Sequence, residues 1–423
     1  MKTAIVGVNW GDEGKGRMID LLSQDYDIVV RFQGGNNAGH TVVNDRGKFI
    51  LNLLPSGVLR SDKVNVMGNG MLIDIAHLCG ELERLGQAGV ELGPEQLRIS
   101  SRATICLPFN RQQDVLEEDR LGAGGFGSTR RGIAPGYADK YMKKALRMED
   151  LFDLDRLGER LEALAEWKNL TIRDGYQAPP VRAADLAAWL RQYGEPLLPY
   201  ICDTTDYLCR AVDAGKSILF EAQLGSLRDI DLGIYPFTTS SNTLAAYAPI
   251  GAGLPGDRLD QVVGVVKAYS SCVGAGPFTA ELFGPEGEAL REAGAEYGAA
   301  TGRPRRVGAF DLVASAYGAR LQGCDCVALT KLDVLSYMER IPVCVAYELD
   351  GRLTRSFPSG SQLLRARPVL EYLPGFRQDI SACRSWEQLP QAARDYVLYI
   401  EAAVNCPVKY VSVGAARDEI IYR

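Results

Sequence analysis

The chain has 423 residues, 46% of them hydrophobic and 24% charged, with a formal net charge of −6. That length suits one enlarged α/β domain or two or three smaller ones, and the acidic balance argues against general nucleic-acid affinity, so a nucleotide site must be a local basic patch. No apolar run approaches the ~20 residues that span a bilayer, and the chain enters a strand at once with no signal peptide, so neither membrane insertion nor secretion is expected.

The ten cysteines are scattered and form no Cys-x-x-Cys pair, and the chain has only two histidines. A zinc site is therefore not expected; reduced thiols of a cytoplasmic protein are.

Residues 4–8 are a short apolar run, as a buried parallel strand would be. They lead into Asn9-Trp10-Gly11-Asp12-Glu13-Gly14-Lys15-Gly16-Arg17, after which Met18, Leu21 and Leu22 repeat at helical spacing. Glycines let the backbone approach a ligand closely, and the helix N-terminus behind them favours an anion, with Lys15 adding a full charge. Six residues separate Gly7 from Gly14-Lys15, and Gly16 stands where the common P-loop has Ser or Thr. On spacing alone, a phosphate cradle and an ordinary strand-to-helix turn both fit. Asp12 inside the turn makes sense as a metal ligand or proton acceptor, because a bare carboxylate would repel phosphate.

Ile28-Val29-Val30-Arg31 reads as a second strand. It delivers a second glycine-rich loop, Gln33-Gly34-Gly35-Asn36-Asn37-Ala38-Gly39-His40-Thr41, whose polarity weakens a buried-core reading of His40. Two such loops at the carboxyl ends of strands could face one cleft. Phe49 to Leu54 and Val64 to Met67 read as further strands, and residues 76 to 87 as an amphipathic helix.

Residues 122 to 140, rich in Gly, Ser, Thr and Arg, suit a mobile loop that closes on phosphate, or a plain surface loop. Residues 150 to 215 are helical and charged, a peripheral subdomain without visible chemistry. Ser217 to Glu221 is another buried strand, and Gln261 to Lys267 another. Arg303, Arg305 and Arg306 on a Gly-Thr loop suit a dicarboxylate, which arginine grips with paired hydrogen bonds. Cys324 and Cys326 should share a face of the strand that ends in Thr330-Lys331-Leu332-Asp333. An aspartate there can accept from the N1–H and 2-amino group of guanine, and the lysine stem can pack over the base. Val411-Ser412-Val413-Gly414 reads as the last strand.

The two glycine-rich turns, Val8 to Gly16 and Gly34 to Thr41, resemble those of the adenylosuccinate synthetase family, which joins IMP to aspartate at the cost of GTP. The resemblance runs at nearly constant spacing to the last twenty residues. It implies an α/β fold with a large, mostly parallel central sheet and flanking helices, a P-loop-like GTP-binding ligase. The chain would form one domain over 1–423, with 100–215 a peripheral, mainly helical insertion carrying the nucleotide-phosphate loop.

The resemblance also implies roles. Asp12, Lys15 and His40 would be catalytic. Gly14, Lys15, Gly16, Thr41, Lys331, Asp333, Ser412 and Gly414 would bind GTP. Asn37, Thr129, Lys143, Thr239, Val273 and Arg303 would bind the acceptor nucleotide, with position 143 reaching across a homodimer interface. Thr301, Arg303 and Arg305 would bind aspartate, and Asp12 and Gly39 would hold Mg2+.

The chain departs from the family pattern in five loop positions. Asn36 replaces a histidine, Arg130 a glycine, Leu224 a glutamine, Ala300 a threonine, and Lys143 the usual arginine. Gln223 stands one place before the missing glutamine, and a one-residue shift turns its side chain elsewhere. The phosphoryl-transfer and guanine residues are intact. The sequence thus leaves three readings: an adenylosuccinate synthetase, a paralogue using the same 6-oxo activation on another purine nucleotide or amino donor, and a non-catalytic GTP-binding regulator. Intact Asp12 and His40 disfavour the last.

Overall fold

The computed structural model describes residues 1–44, 47–298, 302 and 304–423. Ten strands build its central sheet: β1 (Lys2–Gly7), β2 (Ile28–Arg31), β3 (Val64–Met67), β4 (Leu97–Ser100), β5 (Ile201–Cys202), β6 (Ile218–Glu221), β7 (Gln261–Lys267), β8 (Cys326–Thr330), β9 (Val408–Ser412) and β10 (Ile420–Tyr422). Their order is β10-β9-β8-β7-β1-β6-β2-β3-β4-β5. Every neighbouring pair is parallel except β9 with β10.

The inner strands read as unbroken apolar runs because both their faces are buried. Alternate residues go to opposite sides. Ala4 and Val6 pack with Val30, Phe220 and Val262 on one face. Ile5 packs with Val29, Leu219 and Val263 on the other, beneath Met18 and Ile19 of helix α1 (Lys15–Leu22). Burying side chains of this size stabilises by roughly 1.5–3 kcal/mol each. α1 is therefore fixed against the sheet, with its N-terminus at the sheet's carboxyl edge.

The helices Pro108–Leu121, Ile133–Tyr141, Gly158–Ile172 and Ala183–Gly194 gather at the β3–β5 end. Leu164, Leu186 and Leu190 share one core with Met67, Leu97 and Ile99 of the sheet. A second sheet of four strands (Phe310–Asp311, Arg340–Leu349, Arg352–Thr354, Arg367–Pro374) covers the other end. Among the described residues, no helix is long and apolar enough to cross a membrane.

Four local expectations are corrected. Val411–Gly414 does not close the sheet: β9 stops at Ser412, and the chain reverses to add the three-residue β10, too short to carry its own pattern. The strand expected at Phe49–Leu54 is Gly47–Leu51, paired outside the sheet with His40–Asn44. His40 thus starts a hairpin strand rather than lying in a loop, and it is buried. Cys324 precedes β8 in a turn, so the two cysteines do not share a face; Cys326 packs in the α1 layer, and Cys324 against the opposite layer.

Candidate active site

Six adjacent strands, β9-β8-β7-β1-β6-β2, carry the predicted functional loops at their carboxyl ends. Five gaps of strand spacing amount to about 24 Å. The order places the Ser412–Gly414 turn and Lys331–Asp333 at one end, the Gly-rich loop of β1 in the middle, and the His40 loop at the other.

The β1 loop is shaped by Glu13, which sequence reasoning passed over. Its buried carboxylate accepts hydrogen bonds from the backbone N–H of Asn9 (3.1 Å) and Gly11 (2.8 Å), and from Lys15 Nζ (2.6 Å). Those two loop amides therefore face Glu13, and the anion-facing donors are left to the first turn of α1, whose N–H groups have no acceptor within the helix. Gly14 caps that turn in the left-handed region (φ 97°), and Thr330 Oγ1 ties the carbonyl of Glu13 to β8 at 2.6 Å. Gly7 cannot be replaced: a Cβ there would stand 2.3 Å from the carbonyl oxygen of Leu224.

Gly16 lets the second loop approach, since a Cβ on it would lie 2.9 Å from His40 Cβ. The two loops thus meet, as expected. His40 Nδ1–H donates to Glu221 Oε1 at the end of β6, which leaves Nε2 for proton chemistry. Glu221 also accepts from the Ser56 N–H (2.7 Å) and hydroxyl (2.8 Å). Burial pushes the His40 imidazolium toward its neutral form, against the pull of Glu221. Burial would raise the Glu221 carboxyl, but its contact with His40 and the charge of Arg31 hold it below its usual range.

At the other end, Asp333 presents a buried Oδ1 with no partner among the described residues, and burial pushes its carboxyl up. Such an orphan is costly unless a ligand supplies donors. Arg17 of α1 closes this end. Its guanidinium donates to Ser412 Oγ and to the carbonyls of Gly414, Ala416 and Glu419. Asp20 on the same helix holds Arg417 at 2.7 and 2.9 Å.

Asp12, in the left-handed region at φ 58°, stands 3.2 Å from Arg305 Nε. Arg305 Nη1 also donates to buried Glu296 at 2.9 Å. Arg306 is engaged by Glu281 and the Gly276 carbonyl. Thr301 and Arg303, with Ala300, lie outside the described residues.

Two of the stretches expected to take the acceptor nucleotide, those of Thr239 and Val273, come together around Arg228, another residue missed from sequence. Its guanidinium donates to the carbonyls of Phe237, Val273 and Ala275. Thr239 shows a buried Oγ1 with no partner among the described residues. Glu118 accepts from Gly127 N–H (2.6 Å) and Ser128 N–H (3.1 Å), setting exposed Thr129 at the loop end. That stretch is a loop only to Gly132; Ile133–Tyr141 is a helix. Asn37 Oδ1 accepts from Gly35 N–H at 3.3 Å. Lys143 is exposed just past the C-terminal end of that helix, at φ 60°.

Three of the five departures have local accounts. Asn36 donates to Asp74 Oδ2 (3.1 Å), the cap of helix Ile75–Gln87. Arg130 pairs with Asp119. Leu224 sits at φ 58° against Gly11 of the Gly-rich loop, while Gln223 is turned away and bonds the Gly35 carbonyl at 2.7 Å.

The family model for adenylosuccinate synthetase matches residues 4–421. The adenylosuccinate synthetases of Nostoc punctiforme and Thermosynechococcus vestitus are 43% and 44% identical, each over 99% of this chain and 93% of the relative. That of Streptococcus gordonii is 42% identical over 98% of this chain and 96% of its own length. The structure of fully ligated adenylosuccinate synthetase from Plasmodium falciparum superposes with a TM-score of 0.93 at 35% identity, covering 100% of this chain and 99% of that one. A cyanophage S-2L succinoaminodeoxyadenylate synthetase, 20% identical and covering 100% of this chain and 95% of its own, gives a TM-score of 0.65, a likeness of fold alone. The chain belongs to the adenylosuccinate synthetase family and is a GTP-dependent ligase that forms a C–N bond between L-aspartate and IMP.

Proposed function

We propose that the residues divide this reaction along the sheet edge as follows. Asp333 and Lys331 take the guanine of GTP, with the Ser412–Gly414 turn beneath it. Gly14, Lys15, Gly16 and Thr41 take the phosphates across the middle. Asn37, Thr129, Thr239, Val273 and Arg303 take IMP, and Thr301, Arg303 and Arg305 take aspartate. The observation that supports this best is the Asp12–Arg305 pair, 3.2 Å apart, which joins the proposed base to a proposed aspartate ligand over the phosphate loop.

In this reading Asp12 removes the N1 proton of IMP, and the resulting 6-oxyanion attacks the γ-phosphorus of GTP, expelling GDP. Lys15 and the first turn of α1 offset the charge that develops, and His40 supports the leaving side. The aspartate amine, oriented by Arg305 and its neighbours, then attacks C6 and inorganic phosphate departs. Fixed placement of this kind can remove up to ~7–11 kcal/mol of barrier. Asp12 is part-exposed, and its carboxylate and the Gly39 carbonyl are hard oxygen donors of the kind that would hold Mg2+. When bound there, the ion supplies positive charge to the phosphates.

Residues 100–215 are read as the helical insertion that carries the IMP-phosphate loop. The enzyme is read as a cytoplasmic homodimer. Lys143 is exposed beside Tyr141 and Met142, which are 70% and 56% exposed, a surface that a second copy would cover. A monomer of full activity in sedimentation would overturn the dimer.

The test of function is a mass-spectrometric product screen with Mg2+, aspartate and either GTP or ATP, offering IMP, dIMP, GMP, dGMP and XMP separately. Adenylosuccinate formed mainly from IMP with GTP is expected. An adduct from another nucleotide with IMP inert would overturn it and point to Leu224 and Asn36.

Asp333→Asn is expected to raise the KM for GTP by ~10- to 100-fold, the worth of a hydrogen bond to a charged group. The KM for IMP should stay within about threefold. Steady-state kinetics with an unchanged GTP KM would remove Asp333 from the guanine site.

A further inference from the structure

Glu296 is fully buried, follows the helix Gly284–Ala293, and is absent from the mechanism above. Its Oε1 accepts from Lys267 Nζ (2.8 Å), the Tyr269 hydroxyl (2.6 Å) and Lys331 Nζ (3.0 Å), while Oε2 accepts from Arg305 Nη1 (2.9 Å). These donors come from the end of β7, the end of β8, and the segment leading into Arg306–Gly308. Lys331 is further held by the Gly294 carbonyl at 2.7 Å, and Arg305 N–H donates to the Glu296 carbonyl at 2.9 Å.

A buried carboxylate gathering three cations is expensive unless its geometry is tight. Here Oε1 accepts three hydrogen bonds and Oε2 one. Burial alone would raise the Glu296 carboxyl; the charges of Lys267 and Lys331 overcome it and hold the group far below its usual range. Burial lowers Lys267 to about 8, against the pull of Glu296. Long lysine and arginine side chains lose much rotamer freedom when fixed, so a shared anchor fixes both at once before any ligand arrives.

We propose that Glu296 is a positioning residue that holds Lys331 of the guanine site and Arg305 of the aspartate site in one geometry, so that both cosubstrate sites are set by a single carboxylate. The proposal rests on the reading that Lys331 packs on guanine and that Arg305 grips aspartate. It requires a split among the three substrates. Nothing in the IMP loops around Arg228 and Thr239 runs through Glu296 among the described residues.

The test is steady-state kinetics of Glu296→Gln, which keeps the shape and removes the charge. The KM values for GTP and for aspartate should each rise at least ~10-fold, as for loss of a charge-assisted bond, with the KM for IMP within about threefold. Unchanged GTP and aspartate KM values, or an equal rise in all three, would overturn the proposal. Should E296Q not fold, Tyr269→Phe removes one donor without touching the charge. The same split is expected on a smaller scale, and its absence would be equally decisive. Arg305→Ala measured alongside tests the underlying reading. An unaffected aspartate KM in R305A sinks the site assignment, whereas a crippled R305A beside an unaffected E296Q sinks only the coupling.

Discussion

Asp12→Asn is expected to lower kcat at least ~100-fold, the usual loss when a general base is removed. The substitution is isosteric, and asparagine tolerates the left-handed conformation that Asp12 adopts at φ 58°, so the loop should keep its form. Its scaffold does not depend on the Asp12 side chain. Glu13 holds the Asn9 and Gly11 amides, and Thr330 holds the Glu13 carbonyl. Arg305 loses one ionic partner and keeps Glu296. In the proposed mechanism what disappears is the capacity to take a proton from N1 of IMP, without which the amide-like 6-oxygen is a poor nucleophile toward GTP. Turnover assayed beside a thermal melt checks both halves. A variant that melts like the parent and turns over near-normally would remove Asp12 from the chemistry.

Much of this site is legible in the sequence where local chemistry dictates structure. β7 spans Gln261–Lys267 as its apolar run requires. The helix read at 76–87 is Ile75–Gln87, capped by Asp74 through the His77 N–H at 3.0 Å. The Gly-rich loop runs into α1 because Gly14 supplies the turn and Met18, Leu21 and Leu22 supply the buried stripe. What stayed hidden depends on partners far along the chain. His40 and Glu221 are 181 residues apart, and the hairpin that buries His40 is specified by pairing with Gly47–Leu51 rather than by its own composition.

One signal could have found more of it. Arg31, Glu221 and Lys267 are ionisable residues at the carboxyl ends of strands that are otherwise apolar and buried. A charge in such a place is too costly to keep without a partner or a task, so each position marks the site edge. Glu13 and Arg228 offer no comparable mark. They sit in turns where a charge is ordinary, and their work is to bind backbone, which composition does not encode.

His40→Asn is likewise expected to cost at least ~100-fold in kcat. The buried Glu221 carboxylate, braced by two bonds from Ser56, holds His40 Nδ1–H and so fixes the ring against α1, within reach of Gly16. In the free protein burial favours the neutral ring. The phosphates of GTP bring negative charge that favours the imidazolium, whose Nε2–H can then donate to the leaving side of the transferred group. Asparagine cannot span from Glu221 to that position with two donors in line, so the interaction made in the transition state is lost while substrate binding is largely kept. A fall in kcat with the KM values for IMP and aspartate within about threefold would carry that signature. Glu221→Gln provides the control. It keeps an acceptor for Nδ1–H but removes the charge behind the ring, so its kcat should fall by less than that of His40→Asn. A variant at His40 with near-normal turnover, or a Glu221→Gln variant worse than it in a protein of unchanged melting temperature, would break this ordering and return His40 to a packing role.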